Sequence, residues 1–312
     1  MPHRDLALRI AARLTGHVPA GARRFTTGMC HYVYEVTFPD HPPLVARIGR
    51  DAAQPVLSDA LLLSETLRPL GVPLPRILAH DVTATPPWLL LERLPGTDLG
   101  AVMATLSPAR LATVAAHVAD AQAIVARLPS AGRYGYAARP ELAPHTAWSN
   151  VLLDNVDRAR RRIVAAGLFD PALPLQLRDR ILAARARIDT VPATPFLHDT
   201  TTRNVLVAPG GMFSGIVDVD DLCFGDPRYP AALTCAVMRA YGGPLSYVSA
   251  WRARAGWPDD DLFGLYVSVF LMDLMGEHGQ LFNGNMLPSG PGSRASLLHA
   301  FQASLNGASC GE

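Results

Sequence analysis

The rhythm of hydrophobic and polar positions changes near residue 94. Before it, apolar residues fall in short runs bounded by turn formers; after it they recur mostly at helical spacing. The N-terminus alternates Arg4, Arg9 and Arg13 with apolar positions, which predicts an amphipathic first helix rather than a signal peptide. Residues 25–38 read as two short strands joined by a turn around Gly28. Tyr32, Val33, Tyr34, Val36 and Phe38 supply their β-branched and aromatic content. Residues 44–48 predict the next strand. Residues 55–70 predict a helix with Leu63, Leu67 and Leu70 on one face, stopped by Gly71-Val72-Pro73-Leu74-Pro75. Two more strands are read at 77–82 and 88–93, and Leu94-Pro95-Gly96-Thr97 is a connector.

Beyond the connector, long Ala-rich helical patterns cover 107–128, 145–166 and 175–188. Two short strands follow near 204–207 and 214–217, separated by the turn Pro209-Gly210-Gly211. Residues 229–280 are helical again, with loops near Pro244 and Pro258, and 283–293 form a loop before a last helix. The basic run 158–162 reads as a solvated helix face. The pattern predicts an α+β protein of two parts: a small antiparallel sheet with one helix over 1–93, and a larger, mostly helical part over 94–312.

Composition then removes whole mechanisms. All 28 Lys+Arg residues are arginine, so no Walker A lysine and no Lys Schiff base can exist here. Any fixed cation must be Arg. A net charge of +1 gives no electrostatic reason to expect a nucleic-acid or membrane partner. The stretch 262–275 is too short to span a bilayer and carries Asp273. Cys30, Cys223, Cys235 and Cys310 are scattered, which fits a reducing cytoplasmic setting without a zinc or disulfide framework. His-Glu-x-x-His does not occur, which argues against metalloprotease chemistry.

The candidate chemistry lies in 197–227. Asp199 precedes Asn204 by five positions, just before one short strand; Asp218 ends the next. Phosphoryl transfer needs such a set: one carboxylate to orient an acceptor hydroxyl and take its proton, and a carboxylate with an amide oxygen to hold Mg²⁺ against phosphates. With these residues in view, the chain resembles the aminoglycoside phosphotransferase and choline kinase group, of protein-kinase-like fold. Asp199 and Asn204 match its His-Gly-Asp-x-x-x-x-Asn motif, Asp218 its metal-binding Asp, and Gly225-Asp226-Pro227 the Gly-Asp-Pro that follows. Leu90-Leu91-Glu92-Arg93-Leu94-Pro95-Gly96 and Gly132-Arg133-Tyr134-Gly135 also sit where the family has similar segments, so the resemblance covers about 20–280. The chain departs at Leu197 and His198, which stand at the family's His and Gly.

The resemblance implies a bilobal kinase that moves the γ-phosphate of ATP (or GTP), with Mg²⁺, to a hydroxyl of a small-molecule acceptor. It implies Asp199 as catalytic base, Asn204 and Asp218 as metal ligands, and Arg47 in the third strand as the cation gripping the phosphates. The helix partner of that cation is either Asp59 or Glu65. Asp59 lies about 40° from Leu63 around the helix and Glu65 about 160°, so Asp59 is preferred. Thr27 and Gly28 belong to the loop covering the phosphates, and backbone groups near Glu92 and Leu94 to the adenine site. Two readings stand for Arg203: charge stabilisation at the γ-phosphate, or a structural pair with Asp220. His198 either assists proton transfer or makes a structural hydrogen bond. Asp220 is open as a second metal ligand, and Asp226 is read as anchoring a helix start. For the acceptor, the carboxylates 259–261, Asp273 and Glu277 suit a cation, whereas Trp148, Trp251, Trp257 and Tyr266 suit a less charged molecule. The alternative to a kinase is a pseudokinase-like protein that binds nucleotide or metabolite without transfer.

Overall fold

The computed structural model describes residues 2–25, 31–50, 53–258, 260–282, 285–286 and 289–307. Helix α1 (Pro2–Thr15) lays Ala7 and Ala11 on a five-stranded antiparallel sheet. The sheet has the order β1-β2-β3-β5-β4, from β1 (Gly21–Arg24), β2 (Tyr32–Thr37), β3 (Leu44–Ile48), β4 (Ile77–Asp81) and β5 (Trp88–Glu92). Its first strand, Gly21–Arg24, ends before Phe25, earlier than the aromatic pattern predicts; it pairs in register with Tyr34–Thr37, and Arg23 adds an ion pair to its partner Glu35 at 2.9 Å. Helix α2 (Gln54–Leu67) buries Leu57, Ala60, Leu63 and Leu67. The expected third anchor fails: Leu70 lies in a 3₁₀ turn past the helix end and is half exposed.

The remaining chain builds a helical body with two small sheets set into it. One sheet joins β10 (Met212–Ile216), β9 (Val205–Ala208) and β6 (Thr97–Asp98), so the connector is tied to the hairpin that carries the candidate chemistry. Gly96 is required there. Its φ is +93°, and a Cβ would lie 1.8 Å from the Val207 carbonyl oxygen. The other sheet has the order β7-β11-β8, from β7 (Gly135–Ala137), β11 (Leu222–Gly225) and β8 (Thr194–Leu197). These three strands were not predicted. Each is short, and β8 contains Pro195, which its edge position tolerates.

Short α3 (Leu99–Val102) leads into α4 (Pro108–Val125), α5 (Trp148–Ala166), α6 (Leu173–Ala183), α7 (Arg185–Ile188), α8 (Tyr229–Tyr241), α9 (Ser246–Ala255), α10 (Asp261–Glu277) and α11 (Pro291–Leu305). Two-residue strands β12 (Leu281–Phe282) and β13 (Asn285–Met286) pair where a plain loop was expected. The main core lies among these helices, and α10 is so apolar because it is buried on nearly every side. Among the described residues, no helix is long and apolar enough to cross a membrane. A second core joins Leu63 and Leu67 of α2 to Ala121, Val125, Ile216 and Phe224, seating the helix of the first sheet on the helical body.

Several expectations are corrected. Trp148, Trp251 and Tyr266 are fully buried core residues and line no acceptor pocket. Trp148 packs edge-on against Tyr229 and Tyr266 and donates its indole N–H to the Tyr266 hydroxyl at 2.9 Å. The basic run is not simply a solvated face, since Arg158 bridges to both Asp273 oxygens at 3.1 and 3.2 Å. Cys223 is free and buried, but Cys235 is disulfide-bonded, against the expectation of no disulfide.

Candidate active site

The site grows from a loop held at both ends. On α4, Gln122 is buried in an otherwise apolar face. Its Nε2 donates to the Leu197 carbonyl (2.9 Å) and to the Thr200 Oγ1 (3.1 Å), and its Oε1 accepts from the Leu197 N–H (2.9 Å). This one amide fixes the backbone two residues before Asp199. Asp199 Oδ1 then accepts from the Thr201 hydroxyl at 2.8 Å and from the Thr201 N–H at 3.3 Å, an Asx-type turn that sets the carboxylate angle. Its second oxygen is left for another partner.

Asn204 closes the loop. Its Nδ2 donates to the Asp199 carbonyl at 3.1 Å, which fixes the amide orientation and leaves Oδ1 as an acceptor. Its own carbonyl accepts from the Val217 N–H at 2.9 Å, which brings the end of β10 alongside. The next residue, Asp218, has φ +65° and is the one non-glycine residue with positive φ among the described residues. Asp tolerates that region better than most residues, and the turn throws its carboxylate toward the first sheet.

There it meets Arg47. This residue is buried on β3, between Ala46 and Ile48 in the sheet, and its Nη2 lies 2.9 Å from Asp218 Oδ1 and 2.5 Å from Asp220 Oδ2. His31 Nε2 lies 3.4 Å from the same Asp220 oxygen. So Arg47 points into the cleft that contains Asp218. Asp59 is not its ion-pair partner among the described residues; it sits close enough to Asp221 to raise that carboxyl's pKa along with burial, Asp220 and Asp199. Asp220, at 2.5 Å, stands where the helix carboxylate was expected. Glu65, its rival, is exposed on α2.

The electrostatics follow from crowding. About half of the Asp218 side chain is open, yet the surrounding protein strips water from the carboxyl and raises its pKa. Arg47 pulls against this, while Asp220 and Asp199 push with it. At Asp220 burial also disfavours the charge, but Arg47 and His31 outweigh it and hold the carboxyl at about 2. Its other oxygen, Oδ1, is buried with no hydrogen-bond partner among the described residues.

The remaining expected residues are scattered around this centre. Arg203 is exposed and acts on Tyr241 of α8, so its structural alternative, a pair with Asp220, is not formed. His198 packs edge-on to Tyr136 and partly offsets the burial that raises the pKa of nearby Asp221; its Nδ1 is buried with no hydrogen-bond partner among the described residues. Glu92 accepts from the Arg76 backbone N–H (2.7 Å) and guanidinium Nε (3.1 Å), which engages its side chain structurally. The Leu94 carbonyl accepts from Arg93. Thr27, Gly28, Cys30, Asp259 and Cys310 lie outside the described residues. Asp260 caps α10 and pairs with Arg228 and Arg187, so it too is structural. Asp226 is buried, takes the Arg228 guanidinium at 2.6 Å and the Tyr266 hydroxyl at 2.9 Å, and thereby anchors the start of α8 as expected.

Beside Asp199, α10 presents Asp273 and Glu277 one turn apart. Asp273 is taken by Arg158, with Arg162 at 4.0 Å. The Glu277 carboxylate makes no ion pair or hydrogen bond among the described residues. Burial, then Asp273 and Asp199, push its pKa up to about 7 against Arg162 and Arg158. The wall next to the base therefore carries both signs of charge.

Sequence reasoning missed Gln122 and His31 as members of the site, and it weighed Asp220 as a metal ligand or a partner of Arg203, not of Arg47. A lone amide in an Ala-rich apolar helix face was the signal for Gln122. The pairing of residues 47 and 220 spans 173 positions and has no local signature.

These features set a loop bearing Asp199 and Asn204 and a carboxylate-bearing hairpin against a cation from an antiparallel sheet. The chain belongs to the phosphotransferase enzyme family, whose model matches residues 21–263. No curated protein matches it. Among solved structures, it is similar to a GDP complex of a mutant aminoglycoside 2'-phosphotransferase-IIIa, at 16% identity, TM-score 0.68, covering 97% of this chain and 95% of that one. A thermostable mutant of aminoglycoside phosphotransferase APH(4)-Ia, in ternary complex with AMP-PNP and hygromycin B, aligns at 15% identity and TM-score 0.65 over 96% and 97%. A candidate fructosamine-3-kinase from Thermobifida fusca YX-ER1 aligns at 19% identity and TM-score 0.62 over 96% and 98%. These likenesses establish the protein-kinase-like fold.

Proposed function

We propose that this phosphotransferase moves the γ-phosphate of ATP or GTP to a hydroxyl of a small polar acceptor. Residues 1–93 would hold the nucleotide, and 94–312 the catalytic and acceptor groups. The observation that carries the reading is the single chain of contacts Asp199–Asn204–Val217, continued through Asp218 to Arg47. It gathers a free carboxylate oxygen, an amide oxygen, a second carboxylate and a guanidinium in one cleft.

The donor set suits Mg²⁺. Asn204 Oδ1 and Asp218 are hard oxygen ligands, and among the described residues no three His, Cys, Asp or Glu side chains surround a common metal position. The rest of the shell would come from phosphate oxygens and water. When bound, the metal supplies charge neutralisation on the phosphates. The protein's own residues do the rest. Asp199, with Oδ1 held by Thr201, offers Oδ2 to the acceptor hydroxyl and takes its proton. Arg47 orients the phosphate chain with a planar fork that stays charged throughout the working pH range. Arg203, exposed at the mouth, meets negative charge at the transferred group.

The acceptor is a hydroxylated molecule that tolerates a wall of mixed sign. Relatives of this fold are described in complex with hygromycin B and with kanamycin, which makes aminoglycosides, sugars and amino alcohols the first panel. The test is a coupled ADP-release assay over that panel with either nucleotide. D199A should abolish turnover and leave nucleotide binding within about threefold, and D218A should lose the Mg²⁺-dependent part of that binding. Full phosphotransfer by D199A would refute the role given to Asp199. Mg²⁺-dependent nucleotide binding without turnover on any acceptor would favour the non-transferring alternative.

A further inference from the structure

Arg47 is buried, and a buried guanidinium must be held by carboxylates or it loses its orientation. Among the described residues, the carboxylates that hold it come from the segment after β10, not from α2. Nη2 alone engages both of them, at 2.9 Å to Asp218 and 2.5 Å to Asp220. Only one of these can stay with Arg47 once the metal takes Asp218. Asp220 is the remaining one, and its Oδ2 also lies 3.4 Å from His31 Nε2, at the start of β2.

We propose that Asp220 is the positioning residue of Arg47. It replaces the helix carboxylate and keeps the phosphate-holding cation in the cleft while Asp218 is occupied by metal. This rests on the nucleotide-binding reading given above. It assigns α2 no part in aligning Arg47, and it ties the orientation of a first-sheet cation to the strand end that also carries the metal carboxylate. Without Asp220, Arg47 and the divalent cation would compete for Asp218, so the loss should show when metal is present.

Isothermal titration with ADP, in EDTA and in Mg²⁺, tests this on the full chain. D220A should weaken Mg²⁺-ADP binding about tenfold and change metal-free ADP binding by less than threefold. D59A should change neither. D220E keeps the charge and should retain Mg²⁺-ADP affinity within about threefold; it also serves if D220A is too unstable to purify. Arg47→Ala combined with D220A should be no weaker than Arg47→Ala alone, because the two act as one unit. An unchanged or tighter Mg²⁺-ADP affinity in D220A would overturn the proposal, as would a loss in D59A equal to that in D220A, or D220E binding tenfold weaker than wild type. A wild-type protein that binds no nucleotide would instead overturn the kinase reading, and this proposal with it.

Discussion

Replacing Gln122 by Leu separates positioning from chemistry. Leu is close to Gln in size and suits the apolar face of α4, so no large cavity forms. What is lost are three hydrogen bonds, two of them to the backbone of Leu197. Leu197 is itself buried, so its N–H and C=O would be left without partners. An unpaired buried polar group costs ~1–3 kcal/mol, so the pair costs ~2–6 kcal/mol. At roughly 2–4 °C per kcal/mol for a protein of this size class, even ~3 kcal/mol lowers Tm by about 6–12 °C. Asp199 stands two residues on, so its approach to the acceptor loosens with the loop. We expect kcat to fall at least tenfold, ~1.4 kcal/mol of barrier, with nucleotide affinity within about threefold because Arg47 and Asp218 are untouched. Differential scanning fluorimetry and steady-state kinetics read both quantities. A Tm within about 2 °C of wild type, or unchanged kcat in a destabilised protein, would refute the reasoning.

The Glu277 carboxyl has a folded pKa raised to about 7 from an ordinary 4.5, so the folded state holds the proton more tightly. Its favourable contribution is present below about 4.5 and is lost as pH rises through 7. E277Q should therefore melt higher than wild type at pH 8, with the gap closing toward pH 5; a constant gap across that range would count against the assignment. At Gly225 a Cβ would fall 2.3 Å from the buried Trp148 ring, so G225A should lower Tm by roughly 6 °C or more in a melt, and a neutral result would show that the ring can move. Asp226→Asn removes one charge from the buried Arg228 and Tyr266 pairing and should destabilise by ~3 kcal/mol in urea unfolding; less than ~1 kcal/mol would mean Asp260 alone holds Arg228.

What could be read in the sequence was set by chain proximity. Asp199, Asn204 and Asp218 lie within one hairpin, so spacing alone brings them together. Arg47 stood out because a chain without lysine leaves few cations in the third strand. The partner of Arg47 was not legible. Helical angles can rank Asp59 against Glu65 but carry no information about a carboxylate 173 positions away. The aromatic residues failed for another reason. Trp148, Trp251 and Tyr266 are spaced on helices as a pocket lining or a core would be, and only packing tells the two apart. The sheet β7-β11-β8 escaped because its strands are three or four residues long and join across long crossovers.

The backbone of Asp218 has a consequence for engineering. With φ at +65° the residue bears a conformational cost that glycine would not, and its carboxyl is held where losing water disfavours the charge. Both costs fall on the position assigned to the metal. Selection of variants for heat resistance alone should favour D218G, which relieves both costs while Asp220 still holds Arg47, and which removes the carboxylate assigned to the metal. Screens that score only thermal survival would thus tend to enrich inactive protein, and a thermostable form worth having must be selected under turnover.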